Sequence, residues 1–146
     1  MKILAFSDLH LAKARAAEIE SASRDADLVI GAGDFCNARK DLDKAMAHLQ
    51  AIEEPILAVP GNAESAEELT DASLDNMTVL HGNGVTVGGL RFFGLGYAVP
   101  ETPFGAWSCD LSEKEAENML AGCETADVLI LHSPPKGVCD VSSTGL

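Results

Sequence analysis

The chain has 146 residues, 47% of them hydrophobic and 23% charged, and carries a formal net charge of −13 at neutral pH. That length suits a single domain, residues 1–146, with a core of its own, and the composition excludes disordered, collagen-like and coiled-coil classes. The acidic balance excludes nucleic acid binding by bulk electrostatics, so an anionic substrate would need local positive charge, which bound divalent cations supply.

The chain starts Met1-Lys2 and then runs Ile3 to Phe6, far short of the apolar core of a signal peptide. No later stretch approaches the roughly 18 apolar residues of a membrane span, so a cytoplasmic protein with no membrane partner is expected. Apolar runs suited to buried strands follow at Leu28 to Ile30, Ile56 to Val59 and Val128 to Leu131. With Ile3 to Phe6 they read as parallel central strands. Helical patterns lie between the first three, at Lys13 to Ser23 and Asp41 to Ile52, with a shorter one after Ser65. Ser65 with Glu68, and Ser112 with Glu115, have the spacing of capping boxes, which places helix starts at both.

From Met77 to Gly96 the pattern turns to short β-rich pieces, Thr78 to Leu80, Val85 to Val87 and Leu90 to Leu95. Gly82-Asn83-Gly84 and Gly88-Gly89 separate them as hairpin signals, so an antiparallel meander is expected. Gly96 to Asp110 reads as a long surface loop near the mouth of a site. Its Phe104 and Trp107 are candidate stacking surfaces, with packing the more usual role of such rings. Cys36, Cys109, Cys123 and Cys139 form no Cys-x-x-Cys pair and read as buried reduced thiols. The order of elements gives an α/β chain in which strand–helix units pass into the meander.

The chemistry-bearing residues recur at the ends of the strands: Asp8 and His10 after the first, Asp34 after the second, Asn62 after the third and His132 after the last. In open parallel sheets that edge forms the binding crevice, so residues remote in sequence converge there. Two carboxylates, two imidazoles and one amide oxygen make a mixed donor set suited to Mn, Fe, Ni, Co or Zn. His48, within a helical pattern, and His81, beside a Gly-Asn-Gly turn, read as structural.

Four ordered blocks carry a family resemblance: Ser7-Asp8-Leu9-His10, Gly33-Asp34, Pro60-Gly61-Asn62-Ala63-Glu64 and Leu131-His132-Ser133-Pro134-Pro135. They resemble the calcineurin-like metallophosphoesterases. Thr102-Pro103-Phe104-Gly105 and the His-x-Pro-Pro ending are most similar to the compact prokaryotic branch related to cyclic-nucleotide phosphodiesterases.

The resemblance implies an αββα sandwich of mixed sheets and two adjacent divalent cations, with manganese favoured. Asp8 and His10 would hold one, Asn62 and His132 the other, and Asp34 would bridge them, with Asp34, Asn62 and His132 also the expected catalytic residues. The implied reaction is hydrolysis of a small phosphate ester by a metal-bridging hydroxide in line with the leaving group.

Two departures from the family pattern stand out. Ala63 occupies the position of the usual leaving-group His, which inclines the reading to phosphodiesters because general-acid help there is typically worth roughly 10²- to 10⁴-fold. No Gly-His-x-His block follows His132, so the fold is expected to be incomplete at its C-terminus. A non-catalytic binding scaffold on the same fold is the alternative, since fold does not determine function. A nucleotide-binding regulator fits less well, because Gly31-Ala32-Gly33 does not extend to a dinucleotide fingerprint.

Overall fold

The computed structural model describes residues 1–141. Strand β1 (Ile3–Phe6), helix α1 (Lys13–Ser23), β2 (Leu28–Gly31), helix α2 (Leu42–Leu49), β3 (Ile56–Ala58), helix α3 (Ala66–Ala72) and β4 (Met77–Val79) alternate along the chain. The four strands form one parallel sheet in the order β1-β2-β3-β4. Strands β5 (Asn83–Val87), β6 (Leu90–Leu95) and β7 (Val128–Leu131) form a second sheet, with helix α4 (Glu113–Met119) and a 3-10 turn, Leu120–Thr125, between β6 and β7.

Alternation of side chains across the first sheet builds two cores. Val29, Ile56 and Ala58 face the helices and pack with Ala16, Ala45, Met46, Leu49 and Leu69. Leu28, Ile30, Leu57 and Val59 face the other way and meet Phe92 and Ile130 of the second sheet. Both faces of β2 and β3 are therefore covered and all their residues are buried, whereas β1, equally apolar in sequence, lies at the edge of the sheet and not in its centre, with alternating exposed and half-buried residues. Each fully buried Leu or Phe contributes about 1.5–3 kcal/mol. On the outer face of the second sheet, Leu95 packs with Leu111 and Ala116 of the α4 region. The layers run helix, sheet, sheet, helix, the sandwich that the motifs imply.

Both capping boxes form. Ser65 Oγ accepts from Glu68 N–H at 3.1 Å while Glu68 returns to Ser65 N–H at 2.9 Å, and Ser112 with Glu115 does the same for α4. Helix α2 begins at Leu42 and not at Asp41, because Asp41 has φ +62° and stands at the N-cap position outside the helix, with no capping bond from its side chain.

Two expectations need correction. Strand β7 does not join β1, β2 and β3: it pairs with β6, parallel, in the second sheet. Apolar composition marks a strand as buried without specifying its neighbour, and here the β5–β6 hairpin supplies it. The stretch from Met77 to Gly96 is not one meander either. After α3, β4 completes a further strand–helix–strand unit parallel to β3, and only β5–β6 is antiparallel. Gly88-Gly89 is the hairpin turn, with both glycines at positive φ as a tight two-residue connection demands, whereas Gly82 ends the crossing from one sheet to the other and Asn83-Gly84 already open β5. The tail beyond Val141, expected to run to Leu146 without a closing element, lies outside the described residues.

Candidate metal centre

Each candidate ligand stands just past a strand end, and the loops that carry them continue the pairing of the strands. Asp8 N–H donates to Gly33 carbonyl at 2.9 Å, His10 N–H to Asp34 carbonyl at 3.0 Å and Leu11 N–H to Phe35 carbonyl at 3.0 Å. Asp8, His10 and Asp34 adopt φ of +55°, +45° and +59°, the left-handed region that side chains disfavour. Such strain costs roughly 1 kcal/mol or more per residue and gathers at functional sites.

The two loops after β2 and β3 are tied together by Glu64, whose side chain is fully buried. Its Oε1 accepts from the Asp34 and Gly61 amides at 2.7 and 2.6 Å, and its Oε2 from those of Phe35 and Cys36 at 3.1 and 3.4 Å. Burial, with Asp34 nearby, pushes the Glu64 carboxyl above the usual carboxylate range, while these amides pull it back. All four donors are N–H groups, and a protonated carboxyl would turn its O–H toward one of them, so these contacts match the ionised form. Gly33, at φ +96°, and Gly61 allow the loops to touch: a β-carbon on Gly61 would run into Asp34 Oδ1.

All five candidate ligands converge. His10 Nε2 lies 3.6 Å from Asp8 Oδ1 and 3.5 Å from Asp34 Oδ2, and Asp8, His10 and Asp34 offer atoms within 4.8 Å of one another. His132 Nε2 lies 3.5 Å from Asp34 Oδ1 and 3.3 Å from Asn62 Oδ1. Asp34, at the centre, thus turns one oxygen to each histidine. Asp8 and His10 are exposed, while Asp34 and Asn62 form a buried floor with the half-buried His132 beside them.

The tautomers of both histidines follow from their outer contacts. His10 Nδ1 faces Cys36 carbonyl at 3.0 Å and His132 Nδ1 faces Ala32 carbonyl at 2.8 Å. A carbonyl accepts only, so the proton sits on Nδ1 and each Nε2 lone pair points into the site.

Asn62 tests whether the donors fit a cation. Its Oδ1 is turned to Asp34 Oδ1 and Oδ2 and to His132 Nε2, at 3.2, 3.3 and 3.3 Å, and all three are acceptors. Two arrangements relieve a buried amide oxygen among acceptors: reversal of the amide, which lets Nδ2 donate to Asp34 and His132 while Oδ1 accepts from Ser108, or a divalent cation among the acceptors, which this oxygen, carboxylate and imidazole set is suited to bind.

Three residues that sequence reasoning missed complete the floor. Asn62 Nδ2 donates to Ser108 Oγ at 3.0 Å, and Ser108 Oγ donates to Asp110 Oδ1 at 2.5 Å. Thr102 N–H and Oγ1–H donate to Asp110 Oδ2 at 2.8 and 2.9 Å. Burial opposes ionisation of Asp110, yet the hydrogen bonds from Ser108 and Thr102 together hold its carboxyl below the usual range. All three lie in the loop expected at the mouth, and Thr102 also opens the Thr102-Pro103-Phe104-Gly105 block, but nothing in the sequence pointed to their contact with Asn62.

Other candidates fall outside the centre. His81 Nδ1 accepts from Gly96 N–H at 3.1 Å, a structural role. Cys36 is buried and its thiol is pushed up to about 12 by burial and by Glu64, which makes it inert. Cys109 is buried as expected, but Cys123 is half-buried and Cys139 exposed. Phe104 and Trp107 stack on each other, with centroids 6.1 Å apart, at exposed positions and not in a core. Ala63 is buried, and its amide donates to Asp34 Oδ1 at 3.0 Å.

The profile of the calcineurin-like phosphoesterase superfamily domain matches residues 1–133. The chain belongs to that superfamily. Members act on phosphoester bonds and typically depend on divalent metals, and the Asp8, His10 and Asp34 group fits that pattern. Among solved structures, TT1561 of Thermus thermophilus superposes with a TM-score of 0.77 at 18% identity, covering 94% of this chain and 71% of that one. A second solved structure gives 0.73 at 16% identity, covering 93% and 70%. The protein of unknown function AQ665 from Aquifex aeolicus gives 0.52 at 14% identity, covering 95% and 83%. At these identities the likeness is one of fold alone. Among curated proteins no match was found. Among the described residues no helix is long and apolar enough to cross a membrane.

Proposed function

We propose that this protein is a metal-dependent phosphodiesterase with a two-cation centre, in which Asp8 and His10 hold one ion, Asn62 and His132 the other, and Asp34 bridges them. The observation that carries the reading is the convergence of the five donors on Asp34, whose two carboxylate oxygens each lie 3.5 Å from the Nε2 of one histidine, with Asp8 beside His10 and Asn62 beside His132. Two ions bound there would supply Lewis acidity, drawing in the phosphoryl oxygens and acidifying a water for attack on phosphorus. Manganese suits the mixed oxygen and nitrogen donors.

The chain's own contribution is orientation. Cys36 and Ala32 carbonyls aim the two Nε2 lone pairs inward, and Glu64 holds the Asp34 and Asn62 loops in register. Preset ligands of this kind spare the site reorganisation when charge builds on the phosphoryl oxygens. A buried alanine stands at residue 63, so no imidazole protonates the leaving group from there. That favours diesters with good leaving groups over monoesters with poor ones. The four thiols are free, as a reducing compartment such as the cytoplasm would keep them.

The test is hydrolysis of bis-p-nitrophenyl phosphate with added Mn²⁺, beside the Asp34→Ala variant. The wild type should turn over and the variant should not. Equal rates, or no dependence on metal, would overturn the reading. Ala63 also favours a non-catalytic scaffold, and that reading predicts Mn²⁺ uptake without turnover.

A further inference from the structure

The Ser108 hydroxyl has one proton and three polar neighbours: Asp110 Oδ1 at 2.5 Å, the Asn62 amide at 3.0 Å and Thr102 Oγ1 at 3.2 Å. The other Asp110 oxygen is already engaged by both donors of Thr102. A carboxylate oxygen only accepts, so an O···O separation of 2.5 Å requires the serine proton between the two atoms. With that proton committed, Ser108 has only lone pairs to offer Asn62. It must accept, and only the NH₂ end of the amide can donate.

We propose that Asp110, acting through Ser108, is a positioning residue that sets the orientation of the Asn62 amide and so presents Oδ1 to the cation site before any cation arrives. The purpose of this relay rests on the two-cation reading above, but its geometry does not.

The relay has a real competitor to overcome. With the amide reversed, Nδ2 would donate to Asp34 Oδ1 and Oδ2 at 3.2 and 3.3 Å and to His132 Nε2 at 3.3 Å, while Oδ1 accepted from Ser108. In isolation that arrangement satisfies more groups. It also takes the serine proton away from Asp110, leaving two oxygens 2.5 Å apart with nothing between them. The hydrogen bonds of the reversed amide would lie at or beyond the long end of the N–H···O range. The Ser108–Asp110 bond that they would displace is short and has a charged acceptor, which makes it roughly twice as strong as a neutral one. The orientation with Oδ1 facing the site therefore prevails even in metal-free protein.

The relay also explains why two polar residues of an otherwise irregular loop, Thr102 and Ser108, converge on the Asp110 carboxylate. The loop reaches the floor through backbone as well, since Cys109 N–H donates to Asn62 carbonyl at 2.9 Å. That bond fixes where Asn62 sits, and Asp110 with Ser108 decides which way its amide points.

The experiment reads the amide directly. In ¹⁵N-labelled, EDTA-treated protein, the Asn62 side-chain NH₂ protons should show NOEs to the Ser108 β-protons and none to His132 Hε1. In Asp110→Asn, the new amide gives its oxygen to Thr102 and turns its NH₂ to Ser108, which frees the serine proton for Asn62 Oδ1. The Asn62 NOEs should then move to His132 Hε1.

Titration with Mn²⁺ should show one of two ions weakened roughly 10- to 100-fold in Asp110→Asn, the range for loss of a group that orients a ligand. The Asp8–His10 ion should keep its affinity, and Ser108→Thr, which retains the hydroxyl, should behave as wild type. Wild-type NOEs to His132 Hε1, or an NOE pattern unchanged in a folded Asp110→Asn, would overturn the relay. If the wild type takes up no Mn²⁺ the two-cation reading fails, while the wild-type NOEs still decide the relay, whether or not Asp110→Asn folds.

Discussion

His132 Nε2 lies 3.5 Å from Asp34 Oδ1, although the two residues follow strands of different sheets. The candidate centre therefore sits on the seam of the sandwich, and its integrity depends on the two sheets holding register. Asp34 is the shared element, one oxygen toward His10 and the other toward His132.

Gly61→Ala tests that dependence from the backbone side. The added methyl would overlap Asp34 Oδ1 and also the Asp34 amide, so neither the carboxylate nor its loop can give way cheaply. Mn²⁺ affinity and diesterase activity should both fall by at least roughly 10-fold, as displaced ligands require. Gly89→Ala meets no atom within 4 Å but is strained by its φ of +81°, so it should lower stability while leaving metal affinity and activity of the folded protein near wild type. Equal metal binding by Gly61→Ala and wild type would contradict the placement of Asp34.

Glu64→Gln should lower stability by about 1–3 kcal/mol, the cost of leaving a buried polar group unsatisfied. Glutamine keeps the shape but replaces one acceptor oxygen with NH₂, which then faces backbone N–H groups that need acceptors. Urea denaturation measures the change. A midpoint within error of wild type would show that the four amides do not depend on the carboxylate.

Cys36 gives a pH dependence with a definite sign. Its thiol is pushed up to about 12, against about 8.5 in the unfolded chain, so between those values the native state binds the proton and the unfolded state does not. Stability contributed by this group is present below about pH 8.5 and declines as pH rises toward 12. Denaturation midpoints between about pH 8 and 10.5 should fall less steeply for Cys36→Ala than for wild type. At about pH 8 the native thiol should also resist a soluble disulfide reagent that labels the exposed Cys139 promptly. Rapid labelling of Cys36 in the folded protein would refute its assignment as inert.

The sequence by itself marked the strands, the two capped helix starts and the positions of the five candidate ligands, because these are local matters. Burial on both faces writes a continuous apolar run at Leu28 to Ile30, and a capping box needs only Ser65 and Glu68 on adjacent turns. Polar residues immediately beyond such runs must lie at one edge of a parallel sheet, so Asp8, Asp34 and Asn62 were legible together.

Partner choice was decided only by tertiary structure. Nothing in Val128 to Leu131 says whether it pairs with β1 or β6, since both would bury it, and the hairpin that claims it is defined by Gly88-Gly89 far upstream. Proton placement was equally hidden. That His10 and His132 turn Nε2 inward depends on carbonyls of Cys36 and Ala32, and the orientation of Asn62 depends on Ser108 and Asp110. Hydrogen-bond direction is a property of atoms brought within about 3 Å of one another, and only the folded chain sets those distances.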